Sequence, residues 1–351
     1  MISNSNIPPS AADKQHHNNG NTTENDAAKI MRALNVEEID VDLYQSIELW
    51  HPAGSRGAFG GQMVAQALRA GWNTVSDDFH VHSLHNYFLL PGNADIPVIY
   101  QVQRIRDGRS FVTRVVTASQ KGKTVLTCMC SFTKYADGSN ASLCHQDTMP
   151  TNIPQPEELT DNIDRLKVLA NDPRVPEHYR QRYKNFMDTV TPVEYRDIHN
   201  GNSEELLTGY MKPLEDQGQW FKTRERLPDH DPKLHACAIA YASDSGILMS
   251  AVRANGMIGR RGIGMMASLD HSMWFHVPTR ADEWLYHAFD SPRTNDGRGT
   301  SFGRIYNQQG VLVATCSQEG IIRLTKGEQA RRQKAAADEA NASSSSSPSK
   351  L

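Results

Sequence analysis

Apolar residues are distributed along the chain in two different ways. In Gly60-Gly61-Gln62-Met63-Val64-Ala65-Gln66-Ala67-Leu68 they are nearly continuous and entered through glycines. A helix that is apolar on most sides must be wrapped by other elements. After it, apolar and polar positions alternate over residues 79–90, 97–106, 109–120 and 123–134, the period of strands with one buried face. Asp107-Gly108 and Lys121-Gly122 supply turn chemistry between them, which predicts an antiparallel meander. The same order returns in the second half: an apolar helix near 233–249, then strands near 264–277, 282–290, 300–308 and 311–323, with Gln309-Gly310 in the place of Lys121-Gly122. Thr127-Cys128 aligns with Thr315-Cys316 at an offset of 188, and Ser83-Leu84 with Ser268-Leu269 at an offset of 185. The chain is therefore a tandem repeat with small loop insertions.

This pattern divides the sequence into a polar arm (1–30), a first repeat (31–136), a connector (137–190), a second repeat (191–326) and a tail (327–351). The arm and tail are expected to be disordered. The connector holds Pro150, Pro154, Pro156, Pro173 and Pro176 around a helix-like stretch near 157–170, and is expected to join the repeats rather than build a third core. A long apolar helix rolled in a curved antiparallel sheet is the hotdog plan, so the fold class is α+β with two such units in tandem.

With 351 residues, 38% hydrophobic and 22% charged, the chain can bury a sizeable core. A formal net charge of -3 gives no whole-chain attraction to nucleic acid or an anionic membrane. No run approaches eighteen consecutive apolar residues, so a membrane span is not expected, and the polar arm does not read as a secretory leader. Five cysteines, Cys128, Cys130, Cys144, Cys237 and Cys316, form no regular framework and read as free thiols rather than a metal site. The terminal Ser349-Lys350-Leu351 has the form read by the peroxisomal import receptor, behind a serine-rich segment, Ser343 to Ser347, that leaves it accessible.

Candidate chemistry lies in the second repeat. Asp244 interrupts an apolar run after Tyr241-Ala242-Ser243, Ser268 opens Ser-Leu-Asp-His-Ser-Met-Trp-Phe-His, and Gln318 stands in Cys316-Ser317-Gln318-Glu319-Gly320; the three are 24 and then 50 residues apart. A carboxylate, a hydroxyl and a carboxamide can together hold and activate one water. Asp244 also reads as a residue ending a helix. Unbroken alternation along 264–277 places Ser268 and Asp270 on one face and His271 on the other. The first repeat has no acidic residue in Gly60–Trp72, and the 188 offset sets Cys130 opposite Gln318; only Ser268 keeps a counterpart, Ser83.

These three motifs and their spacings resemble the type II acyl-CoA thioesterases, the bacterial thioesterase II and peroxisomal acyl-CoA thioesterase family. The resemblance implies a double hotdog with one continuous antiparallel sheet around two apolar helices, and Asp244, Ser268 and Gln318 as catalytic residues, with serine where some relatives have threonine. It implies hydrolysis of fatty acyl-CoA to fatty acid and CoA by direct attack of an activated water, with no metal or cofactor. It further implies dimers or tetramers of the double unit, a monomer staying open, while the terminal Ser349-Lys350-Leu351 leads to the expectation of a peroxisomal matrix location. Arg109, Arg114, Arg298 and Arg304, Arg109 and Arg298 foremost, are candidates for the CoA phosphates. The rival readings are a serine hydrolase, for which no G-x-S-x-G nucleophile elbow is expected although His82 and His85 flank Ser83, a hotdog enoyl-CoA hydratase or dehydratase, and a non-catalytic acyl-CoA binding protein.

Overall fold

The computed structural model describes residues 29–50, 57–134, 143–187, 191–199, 201, 203–214 and 216–345. The greater part of the arm and the terminal Ser349, Lys350 and Leu351 lie outside the described residues. The first repeat opens with a hairpin, β1 (Val36–Asp40) and β2 (Leu43–Ser46), ahead of helix α1 (Gly60–Asn73). Then come β3 (His80–Phe88), β4 (Ile99–Asp107), β5 (Phe111–Gln120) and β6 (Lys123–Thr133). The connector carries α2 (Asn162–Asn171) and α3 (Glu177–Met187), two helices where the sequence predicts one.

The second repeat follows the same plan: β7 (Val193–Asp197), a short α4 (Ser203–Thr208), β8 (Gln217–Thr223), α5 (Lys233–Ser243), α6 (Met249–Arg253), then β9 (Ile263–Ser268), β10 (Asp270–Phe275), β11 (Leu285–Asn295), β12 (Arg298–Asn307) and β13 (Leu312–Leu324). The strand pairs β1–β2 and β7–β8 escape the sequence reading because they are short and, in β8, buried almost throughout, which removes the alternation. Lys326–Ser345 forms a further helix, α7, where the sequence leads to a flexible tail. Its first turn is docked: Glu328, 4% exposed, binds Tyr210, Arg331 and Arg332.

Thirteen strands of the described residues join one sheet in the order β1-β2-β4-β5-β6-β3-β10-β13-β12-β11-β8-β7, with β9 also on β13. Read outward from the β3–β10 seam, both halves have the same order, so the sheet is continuous and two-fold related: a double hotdog. The seam is antiparallel, from Ser83 opposite Trp274 to Tyr87 opposite Asp270. The Lys121-Gly122 and Asp296-Gly297 turns have positive φ at both residues, the geometry that matches the twist of flanking strands.

Helix α1 is buried almost all round because it lies against both its own sheet and α5. Its two buried glutamines, Gln62 and Gln66, are one turn apart and are satisfied by the Ala33 and Glu48 carbonyls, with Tyr100 donating to Gln66. An apolar helix thereby holds polar groups without loss. Among the described residues no helix is long and apolar enough to cross a membrane.

Candidate functional site

The site forms where the end of α5 meets the start of the antiparallel α1. Helix α5 stops at Asp244, its C-cap, because Gly246 turns the chain with φ +84, the left-handed conformation that glycine adopts without strain. The predicted helix 233–249 is thus two pieces, and the carboxylate stands at the break. Both readings of Asp244 meet here, since the residue that ends the helix is also the one turned toward the sheet. The loop is pinned by β8, Gln219 Nε2 donating to the Ser245 carbonyl at 2.7 Å.

Asp244 is met by the first repeat. The Gly61 amide at the start of α1 donates to Asp244 Oδ2 at 2.8 Å, and the positive end of that helix dipole faces the carboxylate. Two glycines permit this approach: a Cβ on Gly60 would lie 3.0 Å from Asp244 Oδ2, and one on Gly61 would overlap the Tyr241 carbonyl oxygen. The sequence shows glycines entering a helix; only packing shows that they are there for the other helix.

Gln318 points inward from β13 and is 1% exposed. Its Nε2 donates to Asp244 Oδ1 at 3.1 Å and to Ser268 Oγ at 2.6 Å. The three side chains predicted from separate motifs therefore share one small volume. The orientation predicted for Ser268 relative to His271 is corrected. The strand breaks at Leu269: Ser268 is opposite Gly320, whereas Ser272 is opposite Ser317, so one extra residue is accommodated on this side. A bulge of this kind reverses the alternation beyond it, and Ser268 and His271 both reach Gln318. Asp270, freed from the regular ladder, accepts the Glu319 amide at 2.9 Å. Its carboxylate is therefore structural rather than a competitor for the base.

His271 is the residue that sequence reasoning missed. It is fully buried, with Nδ1 2.7 Å from Gln318 Oε1 and Nε2 2.8 Å from Ser243 Oγ. Burial lowers its pKa, outweighing the opposing influence of the Asp244 charge and the Gln318 hydrogen bond. Across the seam, Asn86 Nδ2 donates to the His271 carbonyl at 2.6 Å. The available signal was a histidine within an otherwise apolar alternation, which strict period-two counting directed to the wrong face.

A cavity of about 460 Å³ lies against the Ser245-Gly246 loop that follows Asp244, bounded by Phe59, Tyr241 and Gly246 on the helix side and by Ile163, Leu166 and Tyr179 of the connector; Asp244, Ser268 and Gln318 themselves do not line it. The connector therefore walls the cavity as well as joining the repeats. Two charge pairs stand in the wall, Arg224 with Asp161 at 2.7 Å and Arg253 with Asp197, together with Arg165, Arg260 and Arg261, and the rest of the lining is mainly aliphatic and aromatic.

The arginine candidates do not converge on the trio. Arg114 is 1% exposed and spends its donors on Thr74, Arg106, Thr113 and Asp107, so it is a structural group. Arg304 is tied to Asp147 and Asp290. Arg298 pairs with Glu319 at 3.0 Å, on the face of β13 opposite Gln318. Arg109 is exposed in the turn before β5, whose first residue Phe111 is opposite Thr133. Thr133 is opposite His80, at the end of β3 remote from Phe88 and Asp244; eight residues of strand span about 27 Å. His82 bonds Ser131 and His85 bonds Ser272, both away from the trio. The spelling G-x-S-x-G does occur, as Gly299-Thr300-Ser301-Phe302-Gly303, contrary to the expectation that none is present. It runs along the middle of β12, and Ser301 is buried against Ser250 Oγ at 2.9 Å. It is therefore no strand-to-helix elbow.

Comparison with known proteins agrees with this architecture. Residues 47–133 match the family profile described as the acyl-CoA thioesterase N-terminal domain, and residues 164–322 match the acyl-CoA thioesterase C-terminal domain. The chain is 39% identical over 294 residues to acyl-coenzyme A thioesterase 8 of Rattus norvegicus, covering 84% of this chain and 88% of that protein. It is 26% identical over 305 residues to peroxisomal acyl-coenzyme A thioester hydrolase 1 of Saccharomyces cerevisiae, covering 77% and 87%. Among solved structures, the acyl-CoA thioesterase II TesB2 from Mycobacterium marinum aligns with a TM-score of 0.62 at 33% identity, over 85% of this chain and 98% of that one. Since both halves match successive domains of one enzyme family and the likeness extends over most of the chain, the protein belongs to the type II acyl-CoA thioesterases.

Proposed function

We propose that this acyl-CoA thioester hydrolase works by direct attack of a water held among Asp244, Ser268 and Gln318. The observation that carries the reading is the single amide nitrogen, Gln318 Nε2, bonded to both Asp244 Oδ1 and Ser268 Oγ. Both hydrogens of that nitrogen are engaged in these bonds, so a water entering between the three groups replaces one of them and then meets the carboxylate as acceptor, the hydroxyl and the freed amide donor. Asp244, anchored through Oδ2, takes a proton from the water through its other oxygen as the water oxygen bonds to the thioester carbonyl carbon. The start of α1 supplies positive potential for the oxyanion that develops. The C–S bond then breaks, the CoA sulfur leaves and takes the proton back from Asp244, and the carboxylic acid is released. The acyl chain occupies the cavity against the Ser245-Gly246 loop, whose volume is in the range of small-molecule sites and whose wall is largely apolar.

Hydrolysis of a graded series of acyl-CoA esters, followed by thiol release in wild type and Asp244→Asn, tests this assignment. Turnover is expected to fall by about 10²- to 10⁴-fold, the usual contribution of a general base, with KM little changed. Wild-type turnover in the variant would remove Asp244 from the mechanism. A 2-enoyl-CoA converted to a 3-hydroxyacyl-CoA without free thiol would favour a hydratase instead.

A peroxisomal location is part of the same reading, supported by Ser349-Lys350-Leu351 and by the name of the yeast relative. Removing these three residues from the full chain is expected to leave it in the cytosol; unchanged import would overturn that part.

A further inference from the structure

We propose that His271, oriented by Ser243, is a positioning residue that holds the Gln318 amide with its NH₂ toward Asp244 and Ser268. The inference rests on the water-holding role given to Gln318 above. The two ends of a carboxamide have nearly the same shape, so something must select which end faces the reaction. Asp244 does so while ionised, because an amide oxygen at 3.1 Å from its carboxylate would be repelled. Once Asp244 has accepted a proton it can donate to an amide oxygen, and its own preference is lost. The constraint that persists through the cycle is behind Gln318, where Oε1 meets His271 Nδ1 at 2.7 Å.

Donor and acceptor counting then fixes the histidine. If Gln318 Nε2 donates forward, Oε1 must accept, so Nδ1 carries the proton. A neutral imidazole has a lone pair on its other nitrogen, and burial keeps this ring neutral. Nε2 must therefore accept, and Ser243 Oγ at 2.8 Å is the donor beside it. The polarity runs Ser243 to His271 to Gln318 to Asp244, without a break. Ser243 Oγ also lies 2.9 Å from the Ala240 carbonyl and 3.1 Å from Met273 Sδ. Donation to Ala240 would reverse the chain, put the proton on Nε2, and turn the Gln318 oxygen toward the reaction. The geometry thus presents two alternatives that differ in one observable, the tautomer of one buried histidine.

The decisive experiment is ¹⁵N NMR of the histidine-labelled full chain at neutral pH without substrate, the His271 signal being recognised by its displacement in Ser243→Ala. A neutral ring protonated at Nδ1 is expected. Protonation at Nε2, or at both nitrogens, overturns the proposal. Kinetics supply the second arm. His271→Asn retains a donor close to the Nδ1 position and is expected to keep kcat within about tenfold of wild type, while His271→Leu loses about 10²-fold, as when one oriented donor is removed from a reaction centre, KM being unchanged in both. Equal losses in the two variants would indicate packing alone and overturn the proposal. Ser243→Ala, which touches neither Ser268 nor Gln318, is expected to reduce kcat by about tenfold through the unsatisfied Nε2; unchanged kcat would overturn it. If the His271 variants do not fold, the wild-type spectrum and Ser243→Ala still decide. Because the tautomer is read without turnover, its failure is separable from failure of the Asp244 assignment.

Discussion

The helix pair α1/α5 has two ends related by the two-fold symmetry of the sheet, and each end holds a half-buried aspartate near a helix start. At one end Asp244 is met by neutral donors, the Gly61 amide and the Gln318 amide. At the other, Asp231, near the start of α5, is gripped by the Arg69 guanidinium. Burial raises the Asp231 pKa, but the Arg69 hydrogen bond and charge outweigh it and hold the carboxyl below its ordinary range. A carboxylate paired with a guanidinium is a poor proton acceptor, and no cation is paired with Asp244 among the described salt bridges. The flanking strands repeat the contrast. Gln318 has Ser301 opposite on one side and His271 in contact on the other, whereas Cys130 has Arg114 and Leu84 opposite. Gly71 of α1 faces Cys130 much as Asp244 faces Gln318. One frame therefore carries two fillings: at one end a carboxylate held by neutral amides, at the other a carboxylate paired with an arginine in the wall of a second cavity of about 930 Å³.

The sharpest way to break this comparison is to remove one carboxylate at a time. Asp244→Asn is expected to reduce turnover by about 10²- to 10⁴-fold, while Asp231→Asn leaves kcat unchanged in the same thiol-release assay. Comparable losses from both would make the two ends functionally alike. A second pair exchanges the sheet positions: Gln318→Leu should cost about 10²- to 10³-fold in kcat, in line with loss of an oriented donor, and Cys130→Ala should cost none.

Packing gives a smaller effect. Gly61→Ala forces a methyl against the Tyr241 carbonyl and should destabilise the fold by about 1–3 kcal/mol in urea denaturation, with kcat lowered as the Asp244 anchor moves. Substituting Gly327 instead, where a Cβ would meet no atom within 4 Å, should leave both quantities unchanged.

Acid stability is the last test. Among the described residues the buried histidines, His235, His271 and His287, all belong to the second repeat. Burial pushes His287 down to about 3, with His271 adding to the shift. Its folded value lies below its unfolded value, so the stability associated with the neutral ring is complete above the unfolded pKa and is lost as pH falls toward the folded one. Between pH 7 and pH 5 this single group should cost about 2 kcal/mol. Denaturation curves at the two pH values should converge in His287→Gln; an undiminished difference would place the acid sensitivity elsewhere.

Much of the fold was legible because alternation and turn glycines are local signals. The four strands after each helix and the repeat itself follow from positions such as Lys121-Gly122 and Thr315-Cys316. The hairpin β1–β2 and strands β7 and β8 were not, since short or fully buried strands lose their period. Arg114 and Arg304 looked like free cations because a sequence does not display Asp107 and Thr74 beside one or Asp147 and Asp290 beside the other. His271 was assigned to the wrong face by one bulged residue at Leu269, an event with no signature in composition.

Residue identity and spacing by themselves determined the two-fold plan, the candidacy of Asp244, Ser268 and Gln318, and the absence from the first repeat of counterparts to Asp244 and Gln318. These are properties of periodicity and of side-chain chemistry, both carried by the chain locally. Tertiary structure alone decided that Gly61 of one repeat anchors the carboxylate of the other, that His271 stands behind Gln318, and that the connector walls the cavity. Those relations join groups remote along the chain, and their distances are set by how the helices and the bulged strand pack.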